Sequence, residues 1–158
     1  MASAFRRTTE LMTPKQLRVL VLCTGNSARS QMAEALLRHL ADGRVDAVSA
    51  GSAPAPDVHP LTRATLKKKY GIENPAMRPK PASDFTGQPF DAVITVCDAA
   101  AAACPTWPGA QEQIHWSLDD PAAVHGAEAR RKAFEDTADE LEKRLRGWLL
   151  SRGVQLSR

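Results

Sequence analysis

The chain has 158 residues, of which 43% are hydrophobic and 25% are charged, a composition typical of one soluble globular domain and too apolar for a disordered chain. Its net charge of +3 is small, and its densest basic run, the three lysines at 67–69, has no interleaved aromatic residues, so no nucleic-acid site is expected. No stretch approaches the roughly 20 apolar residues that cross a bilayer. We find no secretory signal, and therefore expect a cytoplasmic protein, with no membrane partner, whose cysteines are free thiols.

The predicted elements alternate between strands and helices. Residues 1–16 are polar and irregular, which predicts a disordered extension before a single domain at 17–150, and 151–158 is expected to be a tail. Short runs rich in Val, Ile and Leu predict strands at 17–22, 46–51, 90–96 and 114–118. Apolar residues at helical spacing predict helices at 30–41, 60–70 and 128–150.

This order predicts an α/β fold in three layers, α/β/α, around a four-stranded parallel sheet. In open parallel sheets, sites form beyond the carboxyl ends of the strands. Cys23 and Cys97 each lie at such an end, and Asp119 and Asp120 follow a third. We therefore expect these residues, which are distant in sequence, to converge on one edge of the sheet.

A strand, then Cys23, then a helix beginning near Arg29 predicts a loop that holds a tetrahedral anion. Gly25 and Asn26 tolerate positive φ angles, so the backbone can turn its N–H groups inward. The start of the helix adds N–H donors and a positive dipole end, and Arg29 supplies a planar fork for two oxygens. The same field favours thiolate over thiol at Cys23, to which Ser30 could donate a hydrogen bond. The predicted oxyanion-binding residues are Thr24, Gly25, Asn26, Ser27, Ala28, Arg29 and Ser30.

The alternative interpretation is a buried cysteine at a strand end beside a helix-capping serine. This alternative is less favoured, because the loop also has Gly, Asn, Arg and Ser at the spacings of an anion-binding loop. A nucleotide-binding P-loop is excluded because no Gly-Lys-Ser/Thr follows and a thiolate would repel a triphosphate.

The run from Cys23 to Ser30, followed by Gln-Met-Ala-Glu at 31–34, resembles the phosphate-binding loop of low-molecular-weight protein tyrosine phosphatases. It resembles still more the loop of the arsenate reductases that share their fold, and the likeness covers 17–150. The resemblance implies Cys23 as nucleophile and Asp120, directly before a proline, as general acid; an ordinary turn or helix-capping aspartate is the alternative. The aromatic residues that grip phosphotyrosine in the phosphatases are missing around Asp120, which favours a small inorganic anion.

Two further cysteines separate the two chemistries. A phosphatase needs one cysteine, whereas reducing an oxyanion takes two electrons, which thiols supply by forming a disulfide. Cys97 and Cys104 have the spacing of the redox segment of thioredoxin-coupled arsenate reductases. The resemblance implies a relay in which Cys23 attacks arsenate, Cys97 attacks the adduct and releases arsenite, and Cys104 attacks Cys97. Thioredoxin, or glutathione with glutaredoxin, would reduce the final disulfide, and no tightly bound cofactor is implied.

The spacing of Cys97 and Cys104 also has a geometric consequence. If they bracket a helix, their Cα atoms lie about 10 Å apart. A disulfide needs roughly 4.4–6.8 Å, so we expect the segment to loop out on oxidation. For Cys97 alone, a buried core cysteine is the alternative; a zinc site is disfavoured, because adding His115 gives three ligands rather than four.

By the same resemblance, Asn26, Glu34, Ser49 and Asp84 match positions that gather around a structural potassium ion in some arsenate reductases. Internal hydrogen bonding is the alternative. Ala28 stands where several relatives have another cysteine, which the relay does not use. The groups interpreted as packing or surface residues are His59, His115, Trp107 and Trp116. The alternative functions are a phosphatase acting on phosphate esters and a non-catalytic oxyanion-binding redox sensor.

Overall fold

A computed structural model describes residues 16–103 and 106–157. The elements, in chain order, are β1 (Leu17–Cys23), α1 (Arg29–Ala41), β2 (Val45–Gly51), α2 (Pro60–Tyr70), β3 (Phe90–Thr95), α3 (Asp98–Ala103), β4 (Ala110–His115) and α4 (Ala127–Ser151), with 3-10 turns at Ala82–Phe85 and Pro121–Ala123. Except for Gln16, the expected N-terminal extension lies outside the described residues. None of the helices in the described part is long and apolar enough to span a membrane.

The four strands form one parallel sheet in the order β2-β1-β3-β4. β1 is central, and its residues from Val19 to Cys23 are at most 3% exposed. Successive side chains of a strand point to opposite faces, so both faces of β1 are covered. The structure confirms the predicted α/β fold around a four-stranded parallel sheet.

The fourth strand is the element that the sequence located least well. It was expected at 114–118, and the structure places it at Ala110–His115. β4 is an edge strand in which Gln111, Gln113 and His115 are exposed and alternate with half-buried residues. Such a strand has no continuous apolar run, so its polar first half gave no signal.

The start of α2 and the last turn of α1 each have a contact that the sequence did not reveal. His59, interpreted as a packing or surface group, is the N-cap of α2: its Nδ1 accepts from the amide of Leu61 at 3.0 Å, and its ring also packs 4.8 Å from that of Phe134. After α4 the tail turns back, and the amide of Ser157 donates to the carbonyl of Leu40 at 2.7 Å.

Candidate active site

Cys23 lines a small cavity at the carboxyl edge of the sheet. The cavity measures about 90 Å³ and is lined by Cys23, Gly25, Ser27, Ala28, Arg29, Asp120 and Ala122. Sites for drug-sized ligands measure roughly 300–1,000 Å³, so this one suits a small anion. A larger cavity of about 490 Å³, formed by α2 and the 72–77 segment, has no cysteine in its lining.

The backbone of the Cys23 loop is oriented by the segment at 52–59. Four loop carbonyls accept hydrogen bonds from amides of that segment: those of Cys23, Thr24, Gly25 and Ser27, at 3.1, 2.9, 2.8 and 3.1 Å. In a trans peptide the N–H points opposite to the preceding C=O, so the amides that follow these carbonyls turn toward the cavity side.

The position at which the Cys23 loop requires a glycine is not the one expected from the sequence. Asn26 adopts a positive φ of 50°, as predicted, whereas Gly25 does not. The glycine that the loop requires is Gly51 at the end of β2, where a Cβ atom would lie 2.4 Å from the carbonyl oxygen of Thr24. The sequence could not show this, because the close approach arises only when β2 pairs beside β1.

The start of α1 leaves donors available for a bound anion. Its N-cap residue, Ala28, makes no side-chain hydrogen bond to the first turn of the helix. The first amides of a helix have no intrahelical partner, and together with the helix dipole they attract negative charge. An anion in the cavity beside Cys23 would therefore meet both the loop amides and the helix end.

Two donors face the sulfur of Cys23, which is 3% exposed. The amide of Asn26 donates to Sγ at 3.1 Å, and Oγ of Ser30 lies 2.7 Å from Sγ. Oγ of Ser30 also accepts from Nδ2 of Asn26 at 2.8 Å, which leaves the hydroxyl proton of Ser30 for the sulfur. Both contacts stabilise negative charge on Cys23.

Asn26 connects this sulfur to a buried polar network that holds three of the four predicted potassium ligands. Nδ2 of Asn26 donates to Oγ of Ser49 at 2.9 Å, and Ser49 donates to Oε1 of Glu34 at 3.0 Å. The ammonium of Lys80 lies 3.6 Å from the same Glu34 oxygen. Asp84 is exposed, and among the described residues no contact joins it to the other three. Internal hydrogen bonding thus accounts for this cluster, and the potassium ion stays a prediction.

Arg29 and Asp120 both line the cavity. One arm of the Arg29 fork donates to the carbonyl of Leu118 at 2.7 Å, so it anchors the loop that carries the candidate acid rather than facing the cavity. Oδ1 of Asp120 accepts from the amide of Ala122 at 3.0 Å and caps the 3-10 turn that follows. Asp120 is therefore both a capping residue and a cavity residue, whereas Asp119 does not line the cavity.

Cys97 comes two residues after the end of β3 and lies beside the Cys23 loop. Its sulfur is 3.4 Å from Oγ1 of Thr24 and accepts from the amide of Ala100 at 3.4 Å; the residue is 4% exposed. The helix expected to follow Cys97 is α3, in which Ala100 alone is buried. Cys104 lies outside the described residues, and so does any zinc site that would use it.

His115 is a residue whose contacts the sequence did not predict. Nε2 of His115 lies 2.8 Å from Oδ1 of Asp98, and Nδ1 lies 2.8 Å from Oγ1 of Thr95. The pKa of Asp98 is held below its ordinary value, first by the hydrogen bond from His115 and then by one from Ser117. Thr95 and His115 are register partners on β3 and β4, so only the strand pairing reveals this group.

Comparison with known proteins places this site in a family. The family described as low molecular weight phosphotyrosine protein phosphatase matches residues 18–158. The arsenate reductase of Halalkalibacterium halodurans is 36% identical over 131 residues, with 81% of this chain and 91% of that protein covered. The arsenate reductase of Bacillus subtilis is 34% identical with the same coverage.

Solved structures agree with the sequence comparison. A structure of an arsenate reductase in the phosphate-binding state has a TM-score of 0.74 and 25% identity, covering 85% of this chain and 98% of that one. The thioredoxin-dependent arsenate reductase of Corynebacterium glutamicum has a TM-score of 0.69 and 29% identity, covering 95% of this chain and 68% of that one. The loop around Cys23 at the end of β1 and the parallel sheet agree with these matches. The chain belongs to the low-molecular-weight phosphotyrosine protein phosphatase family.

Proposed function

We propose that this protein is an arsenate reductase that converts arsenate to arsenite. The observation that carries the proposal is the second buried cysteine: the sulfur of Cys97 contacts Thr24, the residue next to Cys23. A hydrolytic phosphatase has no use for a second thiol at this place, because water completes its reaction. The arsenate reductases among the curated relatives support the same assignment.

In the first step, arsenate enters the cavity and is held by the amides of the Cys23 loop, the start of α1 and the free arm of Arg29. The Cys23 thiolate attacks arsenic, a sulfur–arsenic bond forms and one arsenic–oxygen bond breaks. Asp120, as general acid, protonates the departing hydroxyl group, which leaves as water. The contacts of Asn26 and Ser30 with the sulfur stabilise the negative charge of the attacking thiolate.

In the second step, the Cys97 thiolate attacks the sulfur of Cys23. A sulfur–sulfur bond forms and the sulfur–arsenic bond breaks, with its electron pair staying on arsenic. Arsenic(V) thereby becomes arsenic(III), and two thiolate sulfurs are oxidised to a disulfide. The Cys104 thiolate then attacks the sulfur of Cys97, and Cys23 leaves as a thiolate.

The Cys97–Cys104 disulfide must be reduced before the next turnover. We assign this step to an external dithiol, thioredoxin, on the strength of the thioredoxin-dependent relative; glutathione with glutaredoxin is the alternative donor. Thiol–disulfide exchange with such a donor requires a reducing compartment, which is consistent with a cytoplasmic protein.

The second candidate is a phosphatase acting on phosphate esters, and the family match favours it. The cavity would hold phosphate as well as arsenate, and Asp120 could protonate an ester oxygen. However, no aromatic side chain lines this cavity among the described residues, so nothing there grips a phosphotyrosine ring. A redox sensor that binds an anion without turnover would not need an acid in the cavity.

The test is a coupled assay with arsenate, thioredoxin, thioredoxin reductase and NADPH. We expect arsenate-dependent NADPH oxidation by the wild type and none by Cys23→Ser, Cys97→Ser or Cys104→Ser. A phosphate ester serves as the second substrate, and any hydrolysis should be lost only in Cys23→Ser. Ester hydrolysis by a wild type that does not reduce arsenate would assign the protein as a phosphatase. Anion binding with neither turnover would make it a sensor.

A further inference from the structure

We propose that His115 is a positioning residue that holds the segment after β3 closed and thereby keeps Cys97 against the Cys23 loop. This segment, residues 97–103, is called the redox segment below. The functional consequence rests on the thiol relay proposed above. The contact of His115 with Asp98 belongs to the reduced protein and can be tested without arsenate.

The first part of the argument is the contact at the start of the redox segment. The His115 ring joins Thr95, the last residue of β3, to Asp98, the first residue of α3, through hydrogen-bond distances of 2.8 Å on each nitrogen. The ionised carboxylate of Asp98 can only accept, so Nε2 carries the proton and donates it. Because Asp98 follows Cys97 directly, this contact fixes the backbone immediately after Cys97.

A second contact of the same strand holds the chain at Trp107, beyond the two residues that are not described. The backbone amide of Trp107 donates to Oε1 of Gln113 at 3.1 Å. Gln113 precedes His115 by two residues on β4, so both side chains project from the same face of the edge strand. One polar strand face thus contacts both Asp98, in the redox segment, and Trp107.

The redox segment itself is held weakly. α3 has six residues and buries Ala100 alone. Isolated helices of this length are not stable in water, so α3 depends on its contacts with the rest of the protein. The sulfur of Cys97 itself has only the two long contacts of 3.4 Å, to Thr24 and to the amide of Ala100. The contact of His115 with Asp98 therefore adds to the few contacts that keep the segment closed.

The same contact can be released, which the relay requires. The side chains of His115 and Asp98 are 38% and 78% exposed, so water replaces their hydrogen bond easily when it opens. A helix bracketed by Cys97 and Cys104 would hold their Cα atoms about 10 Å apart, beyond disulfide range. The segment must then be closed while Cys97 attacks Cys23 and open when Cys104 attacks Cys97.

The test compares four forms of the full-length reduced protein: wild type, His115→Phe, His115→Gln and, as a matched control, His125→Phe. Phenylalanine keeps a ring but removes both hydrogen bonds, whereas glutamine keeps an N–H near the position of Nε2. His125 is also exposed and lies outside the cavity and the redox segment.

The first readout is hydrogen exchange of the amides at 99–103 without arsenate. We expect about three- to tenfold faster exchange in His115→Phe, near-wild-type exchange in His115→Gln and no change in His125→Phe. Equal exchange in wild type and His115→Phe would overturn the proposal. If His115→Phe does not fold, Asp98→Ala removes the same contact from its other side and Asp98→Asn restores an acceptor.

The second readout is arsenate turnover in the coupled assay. We expect kcat to fall about three- to tenfold in His115→Phe with the KM for arsenate unchanged, because no cavity residue is altered, and to recover in His115→Gln. An unchanged kcat, or a change in KM alone, would contradict a positioning role. If the wild type does not reduce arsenate, the proposed function fails while the exchange result still decides whether His115 closes the segment.

Discussion

The Cys23 loop and the redox segment meet where the sulfur of Cys97 lies 3.4 Å from Oγ1 of Thr24, yet they are held in opposite ways. The Cys23 loop is fixed by four backbone hydrogen bonds to the 52–59 segment and by a buried side-chain network through Asn26. Asp98 in the redox segment and Trp107 beyond it are held by exposed polar side chains of an edge strand. Donors that are oriented beforehand favour anion binding, because none has to be reorganised during the reaction. In the proposed relay, by contrast, the redox segment has to move before Cys97 and Cys104 can pair.

The largest expected effect tests the chemistry of the cavity alone. Replacing Asp120 by Asn removes the proton that the departing oxygen needs, so we expect kcat for arsenate to fall by about 10²–10⁴-fold. The matched control is Asp119→Asn, since Asp119 does not line the cavity, and it should change kcat by less than about threefold. Rates from the coupled assay measure both. Equal losses in the two variants would mean that the acid has been assigned to the wrong aspartate.

The next effect tests the rigidity of the Cys23 loop. In Gly51→Ala the new methyl group would lie 2.4 Å from the carbonyl oxygen of Thr24, which forces the loop backbone to shift. We expect a loss of about 2–3 kcal/mol of unfolding free energy and a fall in activity. Gly147→Ala in α4 is the control, because its Cβ meets nothing within 4 Å. The unfolding free energy of Gly147→Ala should rise by about 0.5–1 kcal/mol. Urea unfolding measures the unfolding free energy of both variants. If Gly51→Ala is as stable and as active as the wild type, the loop is not rigid at this position.

A smaller effect tests whether the redox segment opens independently of the rest of the fold. Ala102 is exposed in α3, and Ala102→Gly should weaken that helix locally by about 1 kcal/mol. We expect faster hydrogen exchange at 99–103 with no change in Tm, because local opening does not require global unfolding. Calorimetry and exchange on the same sample measure both quantities. A Tm that falls together with the exchange protection would contradict independent opening.

The smallest effect concerns the charge state of Asp98. Its pKa lies below the ordinary value because His115 and then Ser117 hydrogen-bond the carboxylate. A lowered carboxyl pKa contributes stability above its unfolded value of about 3.9 and loses it as pH falls through the folded pKa, so the contact is fully present at neutral pH. Carboxyl NMR titration should show the Asp98 pKa rising toward its ordinary value in His115→Phe. An unchanged titration would mean that Asp98 is not held by His115.

The Cys23 loop shows how far a local pattern predicts a site. A strand end, a cysteine, an asparagine with positive φ, an arginine and a serine are close in sequence, so their mutual geometry follows from the local chain path. Cys97 was predicted at the same edge because parallel strands end together. Gly51, the 52–59 segment and His115 escaped prediction, because each acts on a partner that only strand pairing or loop packing brings within reach.

The sequence by itself determined that this chain forms an α/β fold with a parallel sheet, and it predicted an anion-binding loop at Cys23 after the first strand, because hydrophobic periodicity and loop composition are local properties. The tertiary structure decided how the two described cysteines are held. It directs the Ser30 hydroxyl at the Cys23 sulfur, places Thr24 beside Cys97, and joins Asp98 to a histidine 17 residues away. These contacts depend on the register of β3 and β4 and on the packing of loops at the sheet edge, which no spacing in the sequence encodes.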